Sequence, residues 1–122
     1  PVEPPGFDGM KEQADSIYIK AAFTNTLAFP PGSKFEYSNF GYYLLADIIR
    51  ITSHLSFSDY MKKYIFDERG MTSTRTTSLE AIIQNRAAGY IKLASDSTVN
   101  APNYMAVRPS GAFLTSINDL LK

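Results

Sequence analysis

The sequence of 122 residues contains no cysteine and a single histidine, His54. Without cysteine there is no disulfide framework and no thiolate-bound zinc. With one histidine, most constellations of metal ligands are also excluded. Basic and acidic side chains number 12 each, so the net charge is zero. That balance argues against a nucleic-acid surface or an anionic membrane surface, since both require a basic excess.

Long hydrophobic runs are missing as well. The longest strongly apolar stretch, Tyr42 to Ala46, ends at Asp47 and falls far short of the ~20 residues that span a bilayer. The seven glycines are widely spaced, so they form neither a phosphate cradle nor a dinucleotide fingerprint. We therefore expect no membrane segment in this chain, no nucleic-acid partner, no cofactor and no metal.

What is present is an ordinary globular composition, with 44% apolar and 20% charged residues. The length corresponds to one domain or slightly less. Ser116 and Asp119 form a helix-start pattern, yet the sequence stops at Lys122 and begins at Pro1. We therefore expect residues 1–122 to be a single partial domain of a larger protein. The alternative is a short C-terminal turn.

The hydrophobic pattern predicts a mainly helical chain with short β pieces and long loops. The strongest helix spans Ser38 to Ser53 and is expected to be buried on most sides, because its apolar positions almost encircle it. His54, just after it, fits a helix end at positive φ. The apolar positions are Phe40, Leu44, Leu45, Ile48, Ile49 and Ile51.

Further elements are predicted on weaker patterns. Helices are expected from Gly9 to Phe23 after Asp8, from Phe57 to Phe66 after the capping pair Ser56 and Asp59, and from Leu79 to Asn85. A strand is expected within Ala87 to Leu93. Thr72 to Ser78 is expected to be extended or loop, and Ala94 to Pro109 a polar loop.

The most informative segment runs from Phe29 to Leu45 and reads Phe-Pro-Pro-Gly-Ser-Lys-Phe-Glu-Tyr-Ser-Asn-Phe-Gly-Tyr-Tyr-Leu-Leu. Tyr37 and Asn39 stand at the start of the predicted helix, where backbone N–H groups are unpaired and the helix dipole adds partial positive charge. A phenol and an amide held there face whatever lies beyond the helix end. Taken alone, the same residues are far better explained as a core aromatic and an ordinary N-cap.

The segment resembles the second motif of the penicillin-recognising serine hydrolases, which include class C β-lactamases, serine DD-peptidases and related esterases. Further similarities follow in the family's order: the helix at Ser56 to Met61, Gly70-Met71 with Thr74, Ala88-Gly89-Tyr90, and Pro109 to Leu120. The resemblance covers residues from about 27 to 122. It implies the helical sub-domain of the α/β β-lactamase and DD-peptidase fold.

Several positions depart from the family pattern, among them His54 for a glycine, Glu68-Arg69 for Pro-Leu, and the order Thr115-Ser116. The larger departure is that no serine here has a lysine three residues later, so the family's Ser-x-x-Lys nucleophile motif is absent. The third motif, Lys-Thr-Gly or His-Thr-Gly, is absent too. The 122 residues therefore correspond to the central, mainly helical part of such an enzyme.

The resemblance implies roles for two residues. Tyr37 would be the catalytic phenol that takes the nucleophile's proton and passes it to the leaving group, beside cations that stabilise its phenolate. Asn39 would be catalytic and substrate-binding, through hydrogen bonds to the nucleophile-side lysine and to the region of the substrate carbonyl. Ser38 would cap the helix.

The implied function is acyl transfer through a serine acyl-enzyme on a small molecule: a β-lactam, a peptidoglycan stem peptide or an ester. Secreted relatives would place the parent protein in the bacterial periplasm or outside the cell, and an esterase could be cytoplasmic. The isolated 122 residues are expected to be inactive and to self-associate through exposed apolar surface. The alternative is a non-catalytic helical interaction module on the same scaffold.

Overall fold

A computed structural model describes residues 15–24, 26–78, 81–101, 109, 111 and 113–122. Helices supply most of its regular structure. The helices are α1 (Asp15–Thr24), α2 (Asn39–Ser53), α3 (Phe57–Met61) with a π-helical turn (Lys62–Phe66) directly after it, and α4 (Ile117–Leu120). The strands are β1 (Arg75–Thr76), β2 (Tyr90–Lys92), β3 (Thr98–Asn100) and β4 (Phe113–Leu114).

The two ends of α2 are set by local chemistry, and the prediction for this helix is confirmed. Ser38 is the N-cap, and its side-chain oxygen accepts a hydrogen bond from the Gly41 N–H at 3.2 Å. His54 ends the helix in the left-handed conformation at φ 58°, and its N–H donates to the Arg50 carbonyl at 3.0 Å. The histidine thus occupies a position that usually favours glycine.

The expected burial of α2 is wrong for the residues described. The helix packs against α1 and α3, and only Tyr43 on it is buried. Four apolar side chains on this helix are roughly half exposed: Tyr42, Leu45, Ile48 and Ile51. The last three lie within about 120° of one another around the helix axis, and we call Leu45, Ile48 and Ile51 the outer face of α2. Hydrophobic periodicity identified apolar positions, but α1 and α3 reach only part of the helix circumference.

The predicted helix from Phe57 to Phe66 forms in two parts. Ser56 caps α3 by accepting from the Asp59 N–H at 3.0 Å, and its hydroxyl donates to the Asp59 carboxylate at 2.6 Å. The first of these bonds is the N-cap bond that the capping pair predicts, and the second joins the two side chains. The helix then widens into the π-helical turn, whose end is marked by a hydrogen bond from the Asp67 N–H to the Lys62 carbonyl at 2.8 Å.

The strands form two small antiparallel pairs. β1 pairs with β4, matching Arg75 with Leu114, and β2 pairs with β3, matching Ile91 with Val99. The strand predicted within Ala87 to Leu93 is thus confirmed for Tyr90–Lys92.

Two weaker predictions are corrected by the structure. The stretch 94–109 is not all loop, because it contains β3. Residues 81–85, the described part of the helix expected from Leu79 to Asn85, form bends and a turn in which Asn85 has a φ of 57°. A left-handed residue at that point does not continue an α-helix. For the helix predicted from Gly9, the part before Asp15 lies outside the described residues.

Three aromatic rings join the strands to the helices. Phe66, the buried residue at the end of the π-helical turn, meets Phe113 edge to face with ring centroids 5.5 Å apart. Phe57 at the start of α3 lies 5.8 Å from the same ring. We call Phe57, Phe66 and Phe113 the Phe cluster. It packs β4 against α3 and the π-helical turn.

A second tertiary link is polar. Asp119 on α4 is 2% exposed, and one of its carboxylate oxygens accepts from the Ser73 N–H at 2.7 Å and the Thr74 hydroxyl at 2.9 Å. The other oxygen accepts from the Lys122 ammonium at 3.1 Å. We call Ser73, Thr74, Asp119 and Lys122 the Asp119 junction. Because Thr74 donates its one hydroxyl proton to Asp119, it accepts from Thr115 at 2.7 Å.

The hydrogen bonds of the junction decide the ionisation of Asp119. Burial alone raises the pKa of the carboxyl group, because it removes water from the charged form. Hydrogen bonds from Lys122, Thr74 and the Ser73 N–H, together with the Lys122 charge, act in the opposite direction and prevail. The pKa of Asp119 is therefore lowered below its ordinary value of 3.8, and the group is held as a carboxylate.

Candidate functional site

The segment that leads into α2 is shaped by a tight turn. The Ser33 N–H donates to the Pro30 carbonyl at 3.1 Å, and the Ser33 hydroxyl donates to the same oxygen at 2.7 Å. Pro31 and Gly32 are the two central residues, and Gly32 has a φ of 79°. Proline followed by glycine at positive φ is the pattern of a type II turn. Residues 34–37 then form no regular secondary structure, and the backbone of Ser38 is extended.

The structure places Tyr37 and Asn39 on either side of the Ser38 cap. Tyr37 is the last residue before the cap, and Asn39 is the first residue of α2. Tyr37 is 58% exposed and Asn39 is exposed as well. Neither side chain hydrogen-bonds to another residue in the part of the chain described here. A phenol and a carboxamide at one helix start therefore remain available to outside groups.

The surroundings of the pair carry little charge. Lys34, the nearest preceding cation in sequence, is 3.4 Å from Glu36 and lies over the ring of Phe29 at 4.4 Å from its centroid. The first turn of α2 contains no acidic residue. The partial positive charge of the helix N-terminus is therefore not offset by a carboxylate of that turn, and it favours an anion beside Tyr37 and Asn39.

Gly41 leaves space beside the pair. A Cβ built on this glycine would lie 3.8 Å from the Ser38 Cβ, an ordinary contact, and no closer atom meets it. Its backbone is helical, so φ does not demand glycine either. Gly41 therefore leaves the third position of α2 without a side chain.

Sequence reasoning missed the partner of Tyr37. The ring of Tyr42, on the following turn of α2, lies 5.7 Å from the ring of Tyr37 with their planes at 43°. In helix nomenclature Tyr37 is N′ and Tyr42 is N4, the pair that forms a hydrophobic staple. The spacing of two aromatic residues around a capping serine was the signal that could have predicted it.

Other kinds of site receive no support from the described residues. No group of three or more His, Cys, Asp or Glu side chains is gathered there as a metal-binding set. In the same part of the chain, no helix has the length and hydropathy of a membrane span.

Comparisons with known proteins identify the family to which the chain belongs. The Beta-lactamase family model matches residues 4–122. The mitochondrial serine beta-lactamase-like protein LACTB of Mus musculus is 37% identical over an alignment of 119 residues, and the match covers 87% of this chain and 21% of that protein. The chain belongs to the beta-lactamase family, and it spans about a fifth of the length of these curated relatives.

Solved structures agree on the fold. A penicillin binding protein from Bacillus halodurans superposes with a TM-score of 0.77 at 22% identity, over 93% of this chain and 36% of that one. The octameric penicillin-binding protein homologue from Pyrococcus abyssi superposes with a TM-score of 0.73 at 30% identity, over 86% of this chain and 24% of that one. The expected β-lactamase and penicillin-binding protein fold is confirmed, and the described part of this chain is mainly helical.

Proposed function

We propose that these residues form part of a serine hydrolase of the β-lactamase and penicillin-binding type, and that Tyr37 and Asn39 are its second catalytic motif. The observation that carries the proposal is the placement of an exposed phenol and an exposed amide on either side of the Ser38 cap, in a chain of the beta-lactamase family. The proposed reaction is acyl transfer to a serine, followed by hydrolysis.

In the proposed first step, a serine oxygen attacks the carbonyl carbon of the substrate. The serine proton passes to the oxygen of Tyr37 and then to the leaving nitrogen of an amide or lactam, or the leaving oxygen of an ester, as the bond to carbon breaks. Water then cleaves the acyl-serine ester and restores the serine. Asn39 orients the substrate and the lysine that accompanies the nucleophile.

The nucleophile and its lysine belong, in this proposal, to a Ser-x-x-Lys motif outside the 122 residues. None of the serines in the sequence has a lysine three residues later, and the chain spans about a fifth of its curated relatives. Because the first turn of α2 contains no acidic residue, the partial positive charge of its N-terminus favours negative charge that develops beside Tyr37 during the reaction. The lysines of the outside motifs would act in the same direction.

The substrate class is a β-lactam, a peptidoglycan stem peptide or an ester. The test uses the full-length protein that contains these residues, with nitrocefin, a D-Ala-D-Ala peptide and p-nitrophenyl esters. Tyr37→Phe is expected to lower kcat/KM by roughly 10²- to 10⁴-fold, the range for loss of a proton-transfer group. The control is Tyr90→Phe, because Tyr90 lies on β2 and is 67% exposed, and activity should remain unchanged.

The isolated 122 residues should show no hydrolysis of these substrates, because no activated nucleophile is present. Turnover that survives repurification of the isolated chain would contradict the assigned roles. A full-length enzyme that is indifferent to Tyr37→Phe would contradict them equally.

A second candidate is a non-catalytic interaction module. The observation that favours it is the half-exposed outer face of α2, whose apolar side chains could associate with a second copy of the chain. Intact-mass measurement after incubation of the full-length protein with a β-lactam separates the two candidates. A covalent adduct supports the hydrolase. The absence of an adduct, together with self-association in sedimentation that Leu45→Glu abolishes, supports the module.

A further inference from the structure

The staple between Tyr37 and Tyr42 has a consequence for catalysis. We propose that Tyr42 is a positioning residue, which holds the ring of Tyr37 over the first turn of α2 so that the phenol oxygen stands where protons are transferred. The inference rests on the proposed function, because it assumes that the hydroxyl of Tyr37 takes part in the reaction. The observation behind it is the ring contact, with centroids 5.7 Å apart and planes at 43°.

Tyr37 has little else to fix its direction. Its side chain is 58% exposed, and it follows a segment without regular secondary structure that is not paired with any described strand. Within the described residues its hydroxyl makes no hydrogen bond, and Tyr42 supplies its one aromatic contact. An exposed ring without such a contact would sample several rotamers, each of which points the hydroxyl elsewhere.

The position of Tyr42 on α2 allows it to orient the ring of Tyr37. It lies in the helical part of the chain, one residue after Gly41, whose N–H is held by the Ser38 cap at 3.2 Å. The backbone under Tyr42 is therefore fixed. Tyr42 is also 45% exposed, whereas its neighbour Tyr43 is buried. The side chain of Tyr43 therefore packs inside the fold, whereas the ring of Tyr42 keeps an exposed surface that the ring of Tyr37 can contact.

The expected effect follows from the cost of misplacing a reacting group. A displacement of about 1 Å lowers the rate by up to roughly 10²-fold. Replacing Tyr42 with leucine removes the ring but keeps an apolar side chain. We expect the rate of serine acylation to fall roughly 10- to 100-fold, with little change in KM, because the phenol acts on the proton and not on substrate affinity. Tyr42→Phe keeps the ring and should restore the rate.

The experiment measures single-turnover acylation of the full-length protein by a fluorescent penicillin or a p-nitrophenyl ester, normalised to titrated active sites. The control is Ile51→Ala, on the same helix and 56% exposed, but without a contact to Tyr37. It should leave the rate unchanged. A similar loss for Ile51→Ala and Tyr42→Leu would assign both effects to the helix in general and overturn the proposal.

A double-mutant cycle separates positioning from any other role. Tyr37→Phe removes the hydroxyl but keeps the ring and therefore the staple. In that background, Tyr42→Leu should cause no further loss, because there is no phenol oxygen left to position. An additional loss of the full size would overturn the inference.

The outcomes also distinguish this inference from the proposed function. If Tyr37→Phe is harmless, the proposed function fails. If Tyr37→Phe is damaging but Tyr42→Leu is harmless, only the positioning role fails. A ring-to-ring nuclear Overhauser effect between selectively labelled Tyr37 and Tyr42 tests the contact in the unaltered protein. It is expected, and its absence would overturn the staple however the variants fold.

Discussion

Helices α2 and α4 begin in the same way and use their first turns differently. Each is capped by a serine side chain that accepts from the N–H three residues later, at 3.2 Å in both cases. In α2 that third residue is Gly41, and the flanking Tyr37 and Asn39 remain exposed. In α4 it is Asp119, which is buried and fully engaged with Ser73, Thr74 and Lys122.

The difference teaches how one local motif serves two purposes. At α4 the third residue is Asp119, and its carboxylate hydrogen-bonds to the turn after Gly70. The oxygens of Asp119 therefore already have partners inside the fold. At α2 the third residue has no side chain, and the polar groups beside the cap have no internal partners among the described residues. A helix start like that of α2 can take part in a reaction, whereas a helix start like that of α4 contributes to the stability of the fold.

The strongest test converts one helix start into the other. Gly41→Asp places a carboxylate at the third position of α2, where it should stabilise the helix by about 0.3–1 kcal/mol through the cap and the dipole. It should nevertheless lower kcat/KM of the full-length enzyme roughly 100-fold. Two unit charges about 6 Å apart repel by about 3 kcal/mol at an effective dielectric constant near 20, and the Tyr37 phenolate would feel that repulsion.

The control for this exchange is Gly41→Asn, which has nearly the same size without the charge. We expect it to keep most of the activity. Equal losses for the two variants, measured as kcat/KM with matched protein folding by circular dichroism, would show that space and not charge is what Gly41 provides.

The second test concerns the buried helix start. Because the pKa of Asp119 is lowered in the folded protein, its carboxylate stabilises the fold above the ordinary pKa of 3.8, and that stabilisation is lost as the pH falls through the lowered folded value. Asp119→Asn should lower the urea midpoint of unfolding at pH 6, and the gap to the unaltered protein should narrow towards pH 3.

Asp59→Asn is the natural comparison for Asp119. Asp59 occupies the equivalent third position of α3 but is exposed, and among the described residues its carboxylate bonds only to Ser56. Its replacement should shift the urea midpoint less than that of Asp119. If the two shifts were equal, the tertiary hydrogen bonds of the Asp119 junction would add nothing to the local cap.

The smallest expected effect concerns the serine caps, which the starts of α2 and α4 share. Ser38→Ala and Ser116→Ala each remove one capping hydrogen bond, and each should lower the free energy of unfolding by about 1 kcal/mol. Urea unfolding of the full-length protein measures both. A loss at Ser116 alone would mean that the cap of α2 carries no stability, and the parallel between the helices would not hold.

Features that depend on neighbouring residues were predictable from the sequence. The caps at Ser38, Ser56 and Ser116 and the left-handed end at His54 each involve residues within one turn, and all were found. The π-helical turn left no comparable signal, since its hydrogen bonds differ from those of an α-helix by one residue.

Features that depend on distant residues could not be predicted. Asp119 was recognised as a first-turn residue, but its burial depends on Thr74, 45 positions away. The exposure of the outer face of α2 depends on what packs there, which periodicity does not report. β3 was missed because Thr98–Asn100 is exposed throughout and, at three residues, is too short for an alternating pattern to be recognised. Tyr37 and Asn39 came from family resemblance, and their roles stay predictions.

The π-helical turn Lys62–Phe66 has a consequence for how the family can change in length. Its hydrogen bond from Asp67 to Lys62 spans five residues, where an α-helix spans four. Deleting one residue here would restore ordinary α-helix and keep the following chain in phase, so that an aromatic residue could still reach Phe113. Deleting one residue from α2 would instead turn every later side chain by about 100°. Descendants of this sequence can therefore lose a residue in the π-helical turn far more safely than in α2.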